Sequence, residues 1–141
     1  MFIIENAYLI DGLNNPPCIT QVKVEDKRIV EIGDNLECET HSIIDAEGKT
    51  LMPGLIDAHC HITFDEPNSN DELFFHRREG LSAIIAAHNV QKLVRAGVTG
   101  FLDADSVFDV GVDLRDALEA GLIHGPRMST GGNALLTAVG G

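Results

Sequence analysis

A chain of 141 residues has room for one compact domain, or for a small domain joined to part of a larger one, and 44% hydrophobic with 23% charged residues fits a folded chain rather than a disordered tail. Its 22 acidic against 10 basic residues leave a formal charge of −12, so no nucleic-acid partner and no anionic-membrane partner is expected, since either surface would form against the field of the whole chain. No secretory leader pattern and no apolar run of bilayer length is present, and Cys18, Cys38 and Cys60 lack zinc or redox spacing; they read as free thiols in a reducing, cytoplasmic compartment.

Residues 1–52 read as a small β-domain. Phe2 to Ile4 and Tyr8 to Ile10 are apolar, Asp11-Gly12 supplies a turn, and Asn14-Asn15-Pro16-Pro17 interrupts regular structure. Ile19 to Val24 alternates, Glu25-Asp26-Lys27 forms a hairpin tip, and Ile29, Val30 and Ile32 return, which makes a meander with one half-buried face. Ile43 to Ala46 and Lys49 to Leu51, separated by Glu47-Gly48, are expected to form a second hairpin, and the domain boundary falls near Met52-Pro53-Gly54.

Residues 53–141 change rhythm to strand, helix, strand. Gly54 to Ile62 reads as a buried strand, followed by a polar loop from Asp65 to Asp71. Ser69 and Glu72 have capping-box spacing, with one helix or two to follow around Gly80. Ile84, Ile85 and His88 make one helical stripe, continued by Val90, Leu93, Val94 and Gly97, with His88 read as a packed histidine. Val98 to Asp103 is the next strand. Ser106 and Asp109 are candidate caps for a second helix, whose Leu114, Ala117 and Leu118 share a face before Gly121 ends it; Arg127 to Ser129 is a third strand. The order β-α-β-α-β suits an open α/β sheet or the start of a (β/α)8 barrel. The last residues, 131–141, read as an active-site loop, and three strands leave an edge to be covered by a missing C-terminal portion, a companion chain or a homo-oligomer partner.

The residues with the strongest chemical content are His59 and His61. In a strand they point to one face while Cys60 points to the other, so two neutral imidazoles could converge on one divalent metal, or stand there incidentally. Two ligands leave such a site incomplete. Asp57 shares their face one step lower and could orient a ligand or satisfy the pocket floor. Asp103 and Asp105, at the end of the second strand, touch the pocket, bind a cation, or cap and solvate a loop. Cys60 is read as a small core residue, Phe64, Phe74 and Phe75 as apolar anchors or a cleft wall, and Ser106 as a cap rather than a nucleophile. Gly131-Gly132 permits close backbone approach but carries no phosphate-loop pattern.

The segment Leu51-Met52-Pro53-Gly54-Leu55-Ile56-Asp57-Ala58-His59-Cys60-His61 resembles the first-strand motif of the amidohydrolase superfamily. Arg95 to Asp103 is similar to that superfamily's second strand. Leu114 to Met128 is similar to the following helix and third strand, in the branch of imidazolonepropionase-like proteins and metal-dependent prolidases or carboxypeptidases. The resemblance implies the N-terminal portion of a (β/α)8 metal-dependent hydrolase barrel, preceded by a small β-sandwich-like domain and truncated after about three barrel strands. It implies one or two divalent ions, most often Zn2+, with His59 and His61 as ligands of the more buried one, and further ligands and a proton-handling catalytic aspartate beyond Gly141. Lys92, the only lysine after Met52, sits in an expected outer helix and is not assigned as a ligand. The chain departs from the branch in placing Leu102, not arginine, before Asp103.

The implied activity is hydrolysis of an amide-like C–N bond in a small-molecule substrate such as an N-acyl amino acid, a dipeptide or a cyclic amide. The alternatives are an amidohydrolase-type deaminase and a non-catalytic fragment or binding and assembly domain.

Overall fold

The structure is a computed structural model that describes residues 1–37, 42–65 and 67–135. Cys38, His41 and residues 136–141 of the expected terminal loop lie outside these. The chain divides into two compact units, Met1–Pro53 and Gly54–Gly141.

In the first unit, β1 (Phe2–Leu9), β2 (Cys18–Glu25), β3 (Arg28–Gly33), β4 (Ile43–Asp45) and β5 (Thr50–Leu51) make one sheet in the order β3-β2-β1-β4, with β5 also on β1. Asp26 and Lys27, at φ of 47° and 65°, form the two-residue hairpin turn between β2 and β3, in which both central residues are left-handed. Tyr8 and Ile4 belong to a single strand, whose register shifts between Ile4 and Ala7 around Asn6 at φ 53°.

That irregularity overturns the second hairpin. Both β4 and β5 run parallel to β1 and neither pairs with the other. Ala46 N donates to Glu5 O at 2.8 Å, Gly48 N to Asn6 O at 2.8 Å, and Tyr8 N to Lys49 O at 3.0 Å, so residues 43–51 track β1 through its bend instead of folding back. Asn6 Nδ2 reinforces the bend by donating to Asp45 Oδ1 at 3.0 Å. The expected sandwich is not formed by the described residues, which make a single sheet here. Cross-strand register sets Ile32, Val22, Ile4 and Ile44 in one row, of which Val22 is buried while Ile32 and Ile44 are half-exposed.

In the second unit, β6 (Leu55–Cys60), β7 (Val98–Asp103) and β8 (Arg127–Thr130) form a parallel sheet in that order, connected by α1 (Glu79–Arg95) and α2 (Val110–Glu119). The helices cover the face carrying Phe101 and Met128, and Ile62, Ala86, Val90, Val110 and Leu114 complete the core. The expected buried strand from Gly54 to Ile62 is shorter and more exposed. It stops at Cys60, and Ile56, in register with Gly100, is 63% exposed at the sheet edge.

Two helical segments precede β7. Ser69 Oγ accepts Glu72 N at 3.1 Å, while the Glu72 carboxylate accepts the N and Nδ2 of Asn68, and this turn closes as a π-helix over Glu72–His76. Arg77 and Arg78 are extended and separate it from α1. The buried side of α1 carries Ser82, Ala86, Asn89 and Val90, whereas Ile84 and His88 are exposed, so the stripe through His88 is rotated off the core. The reason is polar: Asn89 turns inward because its Nδ2 donates to Ile62 O at 3.0 Å. Ser106 caps α2 from a distance, its Oγ accepting Gly111 N at 3.0 Å, while Asp109 makes no side-chain cap. Among the described residues no helix is long and apolar enough to cross a membrane.

Candidate metal centre

Parallel strands in register bring their C-terminal ends to one rim: Cys60 pairs with Asp103, and Asp103 with Thr130. Asp103 is fully buried there. Its Oδ1 accepts Ile62 N at 3.0 Å and its Oδ2 accepts Thr130 Oγ1 at 3.1 Å, so this carboxylate ties the ends of three strands together. Burial pushes its pKa above the ordinary value, against the opposing pull of those two hydrogen bonds. Both oxygens are engaged in the rim itself.

Just above it stand the imidazoles. His59 Nε2 and His61 Nε2 are 3.1 Å apart, with ring planes 75° to each other. His61 Nδ1 lies 2.7 Å from Asp105 Oδ1, and Phe64 stacks on the His61 ring at 4.7 Å and 11°. Phe74, on the π-helical turn, meets Phe64 edge-on at 5.6 Å. The loop bearing Phe64 is held from α1 and the turn before it: Arg77 donates to Thr63 O and Asp65 O, and Lys92 pairs with the Asp65 carboxylate at 3.2 Å.

Asp57 lies where the register advances from Asp57↔Phe101 to Cys60↔Asp103, three residues against two. Its Oδ1 accepts His59 N at 3.1 Å and stabilises the bend. Asp105 and Phe64 are the residues whose connection to His61 periodicity could not supply, because both lie in loops; the Asp-x-Asp spacing at Asp103 and Asp105 was the available signal. A cleft of about 740 Å³ beside the sheet, lined by Ile56, Ala58, Gly100 and Arg127 among others, does not include His59 or His61.

The pair suits a divalent ion. Imidazole nitrogens 3.1 Å apart can both sit at roughly 2.0–2.1 Å from one centre, subtending about 100° there. Among the described residues no group of three or more His, Cys, Asp or Glu side chains closes such a site. Gly131 lets β8's trailing loop approach β7: its N donates to Asp103 O at 2.9 Å, and a Cβ would stand 2.2 Å from Ala104 O.

A family model for the amidohydrolase family matches residues 50–136. A dihydroorotase of Lactococcus lactis subsp. lactis is 30% identical over 114 residues, covering 81% of this chain and 26% of the relative, and one of Acetivibrio thermocellus is 43% identical over 60 residues, covering 43% and 14%. A prolidase crystallised with N-methylphosphonate-L-proline is similar at a TM-score of 0.79 and 28% identity, covering 94% of this chain and 32% of that one. The chain therefore spans about a quarter or less of these curated relatives and about a third of that structure.

Proposed function

The chain belongs to the amidohydrolase family, and from that premise we propose that the complete protein hydrolyses an amide-like C–N bond in a small substrate at a centre of one or two divalent ions, with zinc the expected metal. The observation that carries this reading is the convergence of His59 Nε2 and His61 Nε2 at the C-terminal rim of a parallel sheet. That rim is where strand-borne catalytic groups gather in α/β folds. The dihydroorotase relatives and the prolidase likeness support cyclic amides and dipeptides as the substrate classes to test, beside N-acyl amino acids.

An ion bound there supplies acidified water and a polarised scissile carbonyl. The chain's own residues hold and shape the place for it. His59 and His61 offer neutral nitrogen lone pairs, Asp57 fixes the backbone bend at His59, and Asp103 anchors the residue after His61. The proton-handling aspartate and the remaining ligands are assigned to the complete protein outside this chain.

Metal content of the complete protein, followed by turnover of cyclic amides, dipeptides and N-acyl amino acids with and without chelator, tests the reading. We expect bound zinc, chelator-sensitive hydrolysis, and a loss in His59→Ala and His61→Ala beyond the roughly 10–100-fold typical of removing an outer-shell partner. Ammonia release from an amino-substituted ring without amide cleavage would favour the deaminase. A protein that binds no divalent ion and turns over none of the three classes favours the binding-domain alternative.

A further inference from the structure

Asp105 lies two residues beyond the end of β7, and its carboxylate reaches His61 across 44 residues of sequence. Its place is fixed by the backbone on either side. Ala104 N donates to Cys60 O at 2.8 Å and Ser106 N to Gly132 O at 2.8 Å, so the residues on either side of Asp105 are pinned to the neighbouring strand ends. Ser106 is fully buried, with its Oγ also on α2's first turn. Asp105 itself caps no helix.

A carboxylate oxygen accepts, so in the neutral imidazole the contact at 2.7 Å favours the tautomer in which His61 Nδ1 donates and the lone pair stands on Nε2, the atom that faces His59. Phe64, stacked flat on the same ring and braced by Phe74, restrains its tilt. Among the described residues no carboxylate lies within ion-pair distance of the His59 ring, so the two histidines are held unequally.

We propose that Asp105 is the positioning residue for His61: it selects the tautomer and, with Phe64, aims Nε2 at the ion. The proposal rests on the metallohydrolase reading above. It predicts that ion binding depends on a side chain outside the histidine motif, in the loop after the second parallel strand.

The test uses the complete protein with Co2+ as the probe, comparing wild type with Asp105→Ala, Asp105→Asn and Asp105→Glu by chelator competition, by the visible spectrum of the bound Co2+ and by the unfolding midpoint of the metal-free form. Asp105→Ala is expected to weaken Co2+ binding by roughly 10–100-fold and to alter the spectrum. Asp105→Asn, whose amide oxygen still accepts but carries no charge, falls between, and Asp105→Glu recovers part of the loss. The metal-free midpoint should hold in Asp105→Asn even if alanine disturbs folding. Wild-type affinity and spectrum in both the alanine and asparagine variants overturn the assignment while leaving the metal reading intact. A wild-type protein that takes up no Co2+ overturns both, and a lowered midpoint with unchanged affinity shows a structural role only.

Discussion

Asp103 and Asp105 are separated by one residue and serve different ends because one is sealed in the rim and the other is about one-third exposed. For Asp103 the folded pKa lies above the ordinary 3.8, so between those two values the folded state binds the proton more tightly than the unfolded chain. Stability contributed by this group therefore falls as pH rises through that interval and is constant above it. Asp11, Asp45 and Glu72, whose pKa values are lowered by hydrogen bonds, contribute the opposite slope, so the Asp103 contribution should appear in denaturant titrations as the difference between wild type and Asp103→Asn, which keeps the shape without the charge; a difference that does not vary with pH would place the titration elsewhere. Asp103→Ala, which strands Ile62 N and the Thr130 hydroxyl, should cost about 1–3 kcal/mol. Cys60 offers a second check at this scale: burial, then the charges of Asp57 and Asp103, push its thiol up to about 11. Alkylation followed by peptide mapping at neutral pH should mark exposed Cys18 well before Cys60.

At the scale of elements, the contact of α2 with the strand rim depends on a missing side chain. A Cβ on Gly111 would stand 2.6–2.7 Å from Asp103 Oδ2, Thr130 Oγ1 and Ser106 Oγ, three polar atoms already committed to one another and to the backbone. Gly111→Ala should lower stability by about 1–3 kcal/mol through overpacking. Gly80, in the first turn of α1, has open space around its Cβ position, and Gly80→Ala should raise stability by about 0.4–1 kcal/mol by restricting the unfolded chain. Opposite shifts in the denaturant midpoint check both; equal shifts would mean that the rim is looser than these distances imply. The same rim explains the inward-turned polar residues of α1 and of the segment before it: Asn89 on α1 and Arg77 ahead of it hold the carbonyls of Ile62, Thr63 and Asp65, fixing the loop that carries Phe64.

For the whole molecule, each unit leaves apolar surface uncovered. Ile29, Ile32 and Ile44 in the first unit and Ile56 in the second are 64%, 50%, 52% and 63% exposed. Patches of this kind attract partners, other parts of a longer protein, or copies of the same chain. Produced by itself, the 141-residue chain should bind a hydrophobic dye and self-associate more strongly than the complete protein; equal dye binding in the two would show that nothing else covers these faces.

The strands of the first unit, the β-α-β-α-β order of the second and the pairing of His59 with His61 were all legible from local pattern, because period-two alternation, turn residues and capping groups act over a few neighbours. Pattern failed where a distant partner decided the outcome. β4 and β5 run parallel to β1 because the bend at Asn6 presents its carbonyls to Ala46 and Gly48, and Asp57 holds the backbone of His59 where β6 slips register against β7. His88 turns outward because Asn89 finds Ile62, and Asp105 reaches His61 because parallel pairing sets two strand ends side by side. Residue type and spacing thus named the chemistry, since a lone pair and a carboxylate are properties of single side chains. Only tertiary pairing chose which groups meet, since hydrogen bonds and steric contact operate at distances that sequence separation does not encode.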